Sequence, residues 1–145
     1  MKTSPSYPPL FPQLLELLRC GLWDRQPDAA LFRGLTHDQW LSLLLQGQQQ
    51  SILGLMSEGV QRLPEDSQPP LDLRLQWFGY LQAIRHQQRQ YGEARQEVLS
   101  WFLEAGIRCA VFKGDTFNAL YPIPGLRMCG DVDLWFPDPD GVTQA

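Results

Sequence analysis

The residues of this chain that are best suited to chemistry lie near its end, where residues 130–136 read GDVDLWF. Two carboxylates, Asp131 and Asp133, alternate with apolar residues in this segment. Because the side chains of a strand point alternately to its two faces, this spacing places both carboxylates on one face. Carboxylate oxygens on a rigid strand suit a hard cation such as Mg²⁺. The segment therefore predicts a divalent-metal site, the alternative being two solvated carboxylates on an exposed strand face.

A second group of interest comes earlier, at Lys113 and Gly114. The preceding residues 107–112 read IRCAVF and are predicted to form a largely buried strand, because they are short, mostly apolar and bounded by glycines. A helix is predicted to begin directly afterwards, with Asp115 as its candidate N-cap. The N–H groups of a helix start attract anions, Gly114 allows close backbone approach, and Lys113 adds a positive charge. This turn is predicted to bind phosphate, unless Lys113 is an ordinary surface lysine.

These two groups need a scaffold that brings them together. Residues 116–121 are predicted to be helical, and Pro122 ends that helix. Residues 131–136 then return as a second strand, which we expect to lie beside residues 107–112 in one sheet. The opposite face of this strand can be buried, and it carries Val132, Leu134 and Phe136.

The first 104 residues are predicted to be helical. A short helix is expected at about residues 11–22, and a second begins at a capping box formed by Thr36 and Gln39 and continues to about Val60. The longest helix is predicted over residues 71–105, with Gly106 as its C′ residue. Its packed face is a stripe of positions spaced alternately by four and three: Trp77, Leu81, Ile84, Gln88, Tyr91, Arg95, Val98 and Phe102. The tryptophans at 77, 101 and 135 are all predicted to lie in the core.

Bulk properties narrow the class of protein. A net charge of −4 and a pI near 5.0 give no general attraction to nucleic acid or to an anionic membrane. The N-terminal residues do not resemble a signal peptide, and no stretch approaches the roughly 20 apolar residues of a spanning helix. Three widely spaced cysteines indicate neither a disulfide framework nor a zinc site. We therefore expect a cytoplasmic protein with no membrane partner and with reduced thiols.

Short motifs follow one another between Val111 and Phe136: VFKG at 111–114, YP at 121–122, GLR at 125–127 and GDVDL at 130–134. In this order they resemble the signature of an uncharacterised bacterial nucleotidyltransferase family. That family belongs to the DNA-polymerase-β-like nucleotidyltransferase superfamily. The resemblance covers about 30 residues. Members of the family also have a helical N-terminal region, as this chain is predicted to have, but no specific motif supports the resemblance there.

The resemblance implies metal-dependent transfer of a nucleoside monophosphate from an NTP donor to the hydroxyl of an unknown acceptor. It implies that Asp131 and Asp133 are catalytic residues that bind Mg²⁺ or Mn²⁺. Lys113 and Gly114 would lie near the triphosphate. Arg127 would either orient phosphate or brace the turn.

The implied fold class is α+β, with a helical N-terminal region at 1–104 and the N-terminal part of a polymerase-β-like core at 105–145. Superfamily enzymes use a third carboxylate from a later strand, and Asp138 and Asp140 lie in a Pro-rich turn that is a poor substitute. We therefore interpret the core as truncated after its first strand-helix-strand part. The alternative is a truncated or degenerate module that binds nucleotides or proteins without catalysis. The open edge of its sheet also predicts self-association.

Overall fold

The computed structural model describes residues 9–128 and 130–137, without the side chain of Asp115. It has four α-helices and two short strands in the described part of the chain. The helices are α1 (Phe11–Trp23), α2 (His37–Gln49), α3 (Leu53–Arg62) and α4 (Leu71–Glu104), and the strands are β1 (Ala110–Phe112) and β2 (Asp133–Trp135). Single 3₁₀ turns lie at Ala29–Leu31 and Glu65–Ser67, and a longer 3₁₀ helix, Gly114–Leu120, joins the strands.

The described residues are therefore α+β in class and mostly helical, with one two-stranded antiparallel sheet. They form two compact units, one up to Leu81 and one from Gln82 onward, so that α4 contributes to both. The predicted domain boundary at residue 104 stays a prediction. None of the described helices is long and apolar enough to cross a membrane.

The core of the first unit is built around aromatic rings. Trp40 stacks on Phe32 with ring centroids 5.6 Å apart, and it meets Trp77 edge to face at 6.3 Å. All three are at most 3% exposed. The remaining buried apolar side chains of α1, α2 and α3 surround them, among them Leu17, Leu43, Leu44, Leu53 and Met56. Such burial is the main favourable term in folding, so the amphipathic faces of these helices explain why they pack here.

The single helix predicted from Thr36 to Val60 is wrong, because the structure divides it into α2 and α3. Ser51 adopts a left-handed conformation with φ 57°, which stops α2. The amide of Ile52 donates to the carbonyl of Gly47 at 2.9 Å, and the amide of Ser51 donates to that of Gln48 at 3.0 Å. These two bonds form a Schellman cap, in which a serine takes the position usually held by glycine. The start of α2 agrees with the prediction, since Thr36 and Gln39 form a complete capping box.

The stripe predicted for α4 is confirmed. Trp77, Leu81 and Ile84 are buried, and the remaining five positions are half-buried. Gly106 is the C′ residue as predicted: its φ is 72°, and the amide of Ile107 donates to the carbonyl of Phe102 at 2.8 Å.

The core prediction is wrong for two tryptophans, because Trp101 is 58% exposed and Trp135 is 57% exposed. Trp101 precedes a stripe position by one residue, which turns its side chain away from the packed face of the helix.

A pH-sensitive contact joins the starts of α2 and α4. Nε2 of His37 lies 2.7 Å from a carboxylate oxygen of Asp72. This hydrogen bond raises the pKa of His37 and lowers the pKa of Asp72. The histidine contribution to stability is therefore complete below about pH 6.5 and is lost as the pH rises through the raised pKa. The aspartate contribution is present above about pH 3.9 and is lost as the pH falls through the lowered pKa.

We expect Asp72→Asn to lower the pKa of His37, measured by NMR titration of the imidazole ring. Asp38→Asn is the matched control, because its carboxylate lies 3.8 Å from the ring and contributes less to the raised pKa. An unchanged His37 pKa in the Asp72 variant would contradict the contact.

Candidate functional site

The two strands are neighbours in one sheet, as the sequence predicts, and the structure shows that they pair antiparallel. Ala110 lies opposite Trp135, Val111 opposite Leu134, and Phe112 opposite Asp133. Both strands are shorter than predicted, since β1 begins at Ala110 and β2 begins at Asp133. Asp131 therefore lies just before β2, and the prediction that it shares a face with Asp133 stays a prediction.

The sheet has one partly covered face and one open face. Residues opposite one another in an antiparallel pair lie on the same face, so Val111 and Leu134 share one face, and both are half-buried. Phe136 follows the same alternation and packs edge to face on Phe102 of α4, with centroids 5.2 Å apart. Of the apolar residues predicted for this face, Leu134 and Phe136 are half-buried, whereas Val132 is 37% exposed.

The open face carries the functional candidate Asp133. It also carries Ala110, Phe112 and Trp135, by the register of the two strands. Asp133 is half-buried and Asp131 is exposed. The predicted carboxylates are thus reachable by a ligand from solvent, and Asp133 belongs to an ordered strand that fixes its direction.

The turn after β1 has an unusual backbone at Lys113. Its φ is 59° and its ψ is −153°, a region that almost only glycine adopts. The carbonyl of Lys113 accepts two hydrogen bonds from Thr116, one from the amide at 3.0 Å and one from the hydroxyl at 2.6 Å. Strain of this kind costs about 1–3 kcal/mol and is concentrated at functional sites. The exposed ammonium of Lys113 lies 5.3 Å from the centroid of the Phe112 ring.

Gly114 is the point where the predicted site residues meet. Continuing the strand register places it opposite Asp131, and a Cβ atom at Gly114 would lie 3.4 Å from the carbonyl oxygen of Asp131. Arg127 reaches the same residue, since its Nη1 donates to the carbonyl of Gly114 at 2.7 Å. The backbones of the two motifs are therefore adjacent, and Arg127 joins its own turn to the Lys-Gly turn. Two roles were predicted for Arg127, orienting phosphate or bracing the turn, and this contact favours bracing.

The helix between the strands differs from the predicted one. It is a 3₁₀ helix of seven residues that begins at Gly114, and its N-cap is Lys113. Asp115 therefore lies inside it and is not the N-cap. A segment this short, followed at once by Pro122, does not favour nucleation of an α-helix. Its tight and short geometry provides little dipole, so the predicted attraction for phosphate would rest on the charge of Lys113.

Three residues to which the sequence analysis gave no role also position the site. Asn118 accepts a hydrogen bond from the amide of Gly125 at 2.8 Å, which closes the loop over the Pro-rich turn. Thr116 holds the carbonyl of Lys113, as described above. Leu126 is only 1% exposed and so anchors the chain directly before Arg127. Asn and Thr are typical of turns in which side chains bond the backbone, and that signal was available in the sequence.

The carboxylates suit a magnesium site of the kind completed by substrate. The described residues contain no group of three or more His, Cys, Asp or Glu side chains that would hold a metal alone. Mg²⁺ commonly binds through one or two carboxylates and keeps waters and substrate phosphates as its other ligands. The pair Asp131 and Asp133 fits that pattern. Asp138, Asp140 and Cys129 lie outside the described residues.

A family model described as uncharacterised nucleotidyltransferase matches residues 36–145, which include α2, α3 and α4 as well as both strands. No curated protein and no solved structure matches the chain. The match therefore extends from the sheet back over most of the helical region.

Proposed function

Because the chain belongs to the family of uncharacterised nucleotidyltransferases, we propose that it acts on an NTP at the sheet formed by β1 and β2. The proposed reaction transfers a nucleoside monophosphate to an acceptor hydroxyl. The hydroxyl oxygen gives up its proton to solvent and bonds to the α-phosphorus, the bond from that phosphorus to the oxygen shared with the β-phosphorus breaks, and pyrophosphate leaves. One observation carries the proposal: Gly114 lies against the backbone of Asp131, so the Lys-Gly turn and the carboxylate segment adjoin.

The site residues then have distinct roles. Asp131 and Asp133 would hold Mg²⁺ or Mn²⁺, which neutralises phosphate charge and favours deprotonation of the attacking hydroxyl. Lys113 would pair with the phosphates, since an exposed ammonium beside the turn is free to rotate toward an anion. Gly114 lets the triphosphate approach the backbone closely. Arg127 would hold the turn in shape through the carbonyl of Gly114. These residues belong to the opening strand-helix-strand part of a polymerase-β-like core in this proposal.

The proposal is tested by ligand-induced stabilisation. We expect Mg²⁺ or Mn²⁺ together with an NTP to raise the melting temperature, because a ligand at 100 times its Kd adds about 2.7 kcal/mol. The double variant Asp131→Asn, Asp133→Asn should lose this stabilisation, since the neutral amides hold the metal less well. The measurement is thermal unfolding with and without metal and NTP.

A matched control is Glu93→Gln with Glu97→Gln, which removes two exposed charges from α4. This variant should keep the full stabilisation. An unchanged shift in the double aspartate variant would contradict the site assignment. A second assay then distinguishes the enzyme from the non-catalytic alternative. Transfer of label from labelled NTP indicates catalysis, whereas binding without transfer indicates a module that only binds nucleotides.

A further inference from the structure

The open face of the sheet carries two large aromatic side chains beside the candidate carboxylate. Phe112 is 55% exposed and Trp135 is 57% exposed. Phe112 lies directly opposite Asp133, and Trp135 is two residues further along β2 on the same face. Phe112 and Trp135 are therefore diagonal neighbours, a relation in which the residues are about 7–8 Å apart and within reach of aromatic side chains. The two rings and the carboxylate thus form one continuous surface, which we call the aromatic face.

The surroundings of the aromatic face distinguish it from ordinary exposed apolar residues. The opposite face of the same sheet has its own aromatic residue, Phe136, and that ring packs on Phe102. On the aromatic face the rings instead adjoin charged groups, with the Lys113 ammonium 5.3 Å from the Phe112 centroid and Asp133 in register with Phe112. A purely apolar partner would have to desolvate both charges, which is unfavourable. The occupant that fits has a flat aromatic part and an anionic part.

We infer that the aromatic face binds the base of the NTP by stacking on Phe112 and Trp135. This inference rests on the proposed function, because the phosphates of the same nucleotide would lie at Lys113, Gly114 and the metal. Trp135 is two positions beyond Asp133, which is about 7 Å along the strand. The ribose between the base and the α-phosphate can span such a separation. Stacking tolerates any base, since every base has a π face, so all four NTPs should bind.

The test compares two ligands that share phosphates but differ in the base. Binding of Mg²⁺–ATP and of Mg²⁺–tripolyphosphate is measured by isothermal titration calorimetry on the full chain. We expect Trp135→Ala and Phe112→Ala each to weaken ATP binding by about 5- to 150-fold, the range found for aromatic residues that stack on bases. The affinity for tripolyphosphate should stay the same, because it has no base to stack. Trp135→Phe should retain most of the ATP affinity, since it keeps an aromatic ring.

The matched control is Trp23→Ala, which removes an indole that is 63% exposed from the end of α1. It should change neither affinity. Unchanged ATP binding in both alanine variants would overturn the stacking inference while leaving the proposed function intact. Equal losses of ATP and tripolyphosphate binding would also overturn it, because the rings would then act on the fold or on the phosphates. A wild-type chain that binds neither ligand would contradict the proposed function, and the inference with it.

Self-association is a separate outcome. If Trp135→Ala converts a dimer to a monomer in sedimentation velocity and leaves ATP affinity unchanged, a second copy of the chain covers the aromatic face and the stacking inference is wrong.

Discussion

Replacing Gly21 with alanine is expected to destabilise the first unit by about 3 kcal/mol or more. Gly21 is buried in α1 at its approach to α3. A Cβ atom there would lie 2.8 Å from the carbonyl carbon of Leu55 and closer still to its oxygen. Both atoms belong to the backbone of α3, so the clash is relieved only if a helix moves. We expect a large fall in the denaturant concentration at the unfolding midpoint, measured by circular dichroism.

A graded set of glycine variants sharpens this prediction. At Gly59 a Cβ atom would lie 2.9 Å from the Cα and from a flexible methyl group of Leu17, so Gly59→Ala should cost less, about 1–3 kcal/mol. Gly79 lies on the exposed side of α4, and nothing there is within 4 Å of a new Cβ. Gly79→Ala should therefore stabilise the helix by up to about 1 kcal/mol. A Gly21 variant that is as stable as the Gly79 variant would refute the close approach of α1 and α3.

Truncating Trp77 to alanine should destabilise the same unit by about 3–5 kcal/mol. Its side chain is 3% exposed and packs against Trp40. Its Nε1 donates to the hydroxyl of Ser57 at 2.9 Å, and that hydroxyl donates to the carbonyl of Leu53 at 2.8 Å. Alanine removes a buried indole from this group and leaves a cavity. The measurement is equilibrium unfolding in urea.

Two further variants separate packing from hydrogen bonding at this position. Trp77→Phe keeps most of the apolar volume but removes the donor to Ser57, so we expect a smaller loss of about 1–3 kcal/mol. Trp101→Ala is the matched control, because that tryptophan is on the same helix and 58% exposed. It should change the free energy of unfolding by about 0.5 kcal/mol at most. Equal losses for Trp77→Ala and Trp101→Ala would contradict the buried position of Trp77.

Features that depend on neighbouring residues could be predicted from the sequence alone. Thr36 and Gln39 cap α2 because both partners lie within one turn, and Gly106 ends α4 because glycine adopts a positive φ without strain. The stripe of α4 was readable because its helical period is fixed. The two strands are predictable because they are short apolar or alternating segments between turn residues. Both begin later than predicted, at Ala110 and Asp133.

Features that depend on contacts between distant residues are visible only in the folded structure. Serine has no strong preference for the left-handed conformation, so the residue type at position 51 does not indicate the break that the structure shows there. Nothing in the sequence around Gly21 indicates that the backbone of Leu55 lies against it. The type of an apolar residue likewise does not indicate whether other side chains pack on it. The core prediction therefore fails at Trp101 and Trp135.

The candidate site also combines features that depend on neighbouring residues with features that depend on distant ones. The residue types and the spacing of Asp131 and Asp133 are local, and the sequence was enough to select them together with Lys113, Gly114 and Arg127. Their arrangement requires two segments about twenty residues apart to pair in one register, which places Gly114 against Asp131 and lets Arg127 bond the Gly114 carbonyl. The same register places Phe112, Asp133 and Trp135 together on the aromatic face. Local chemistry thus identified the residues, and long-range pairing decided which of them meet, because register is a property of two strands and not of one.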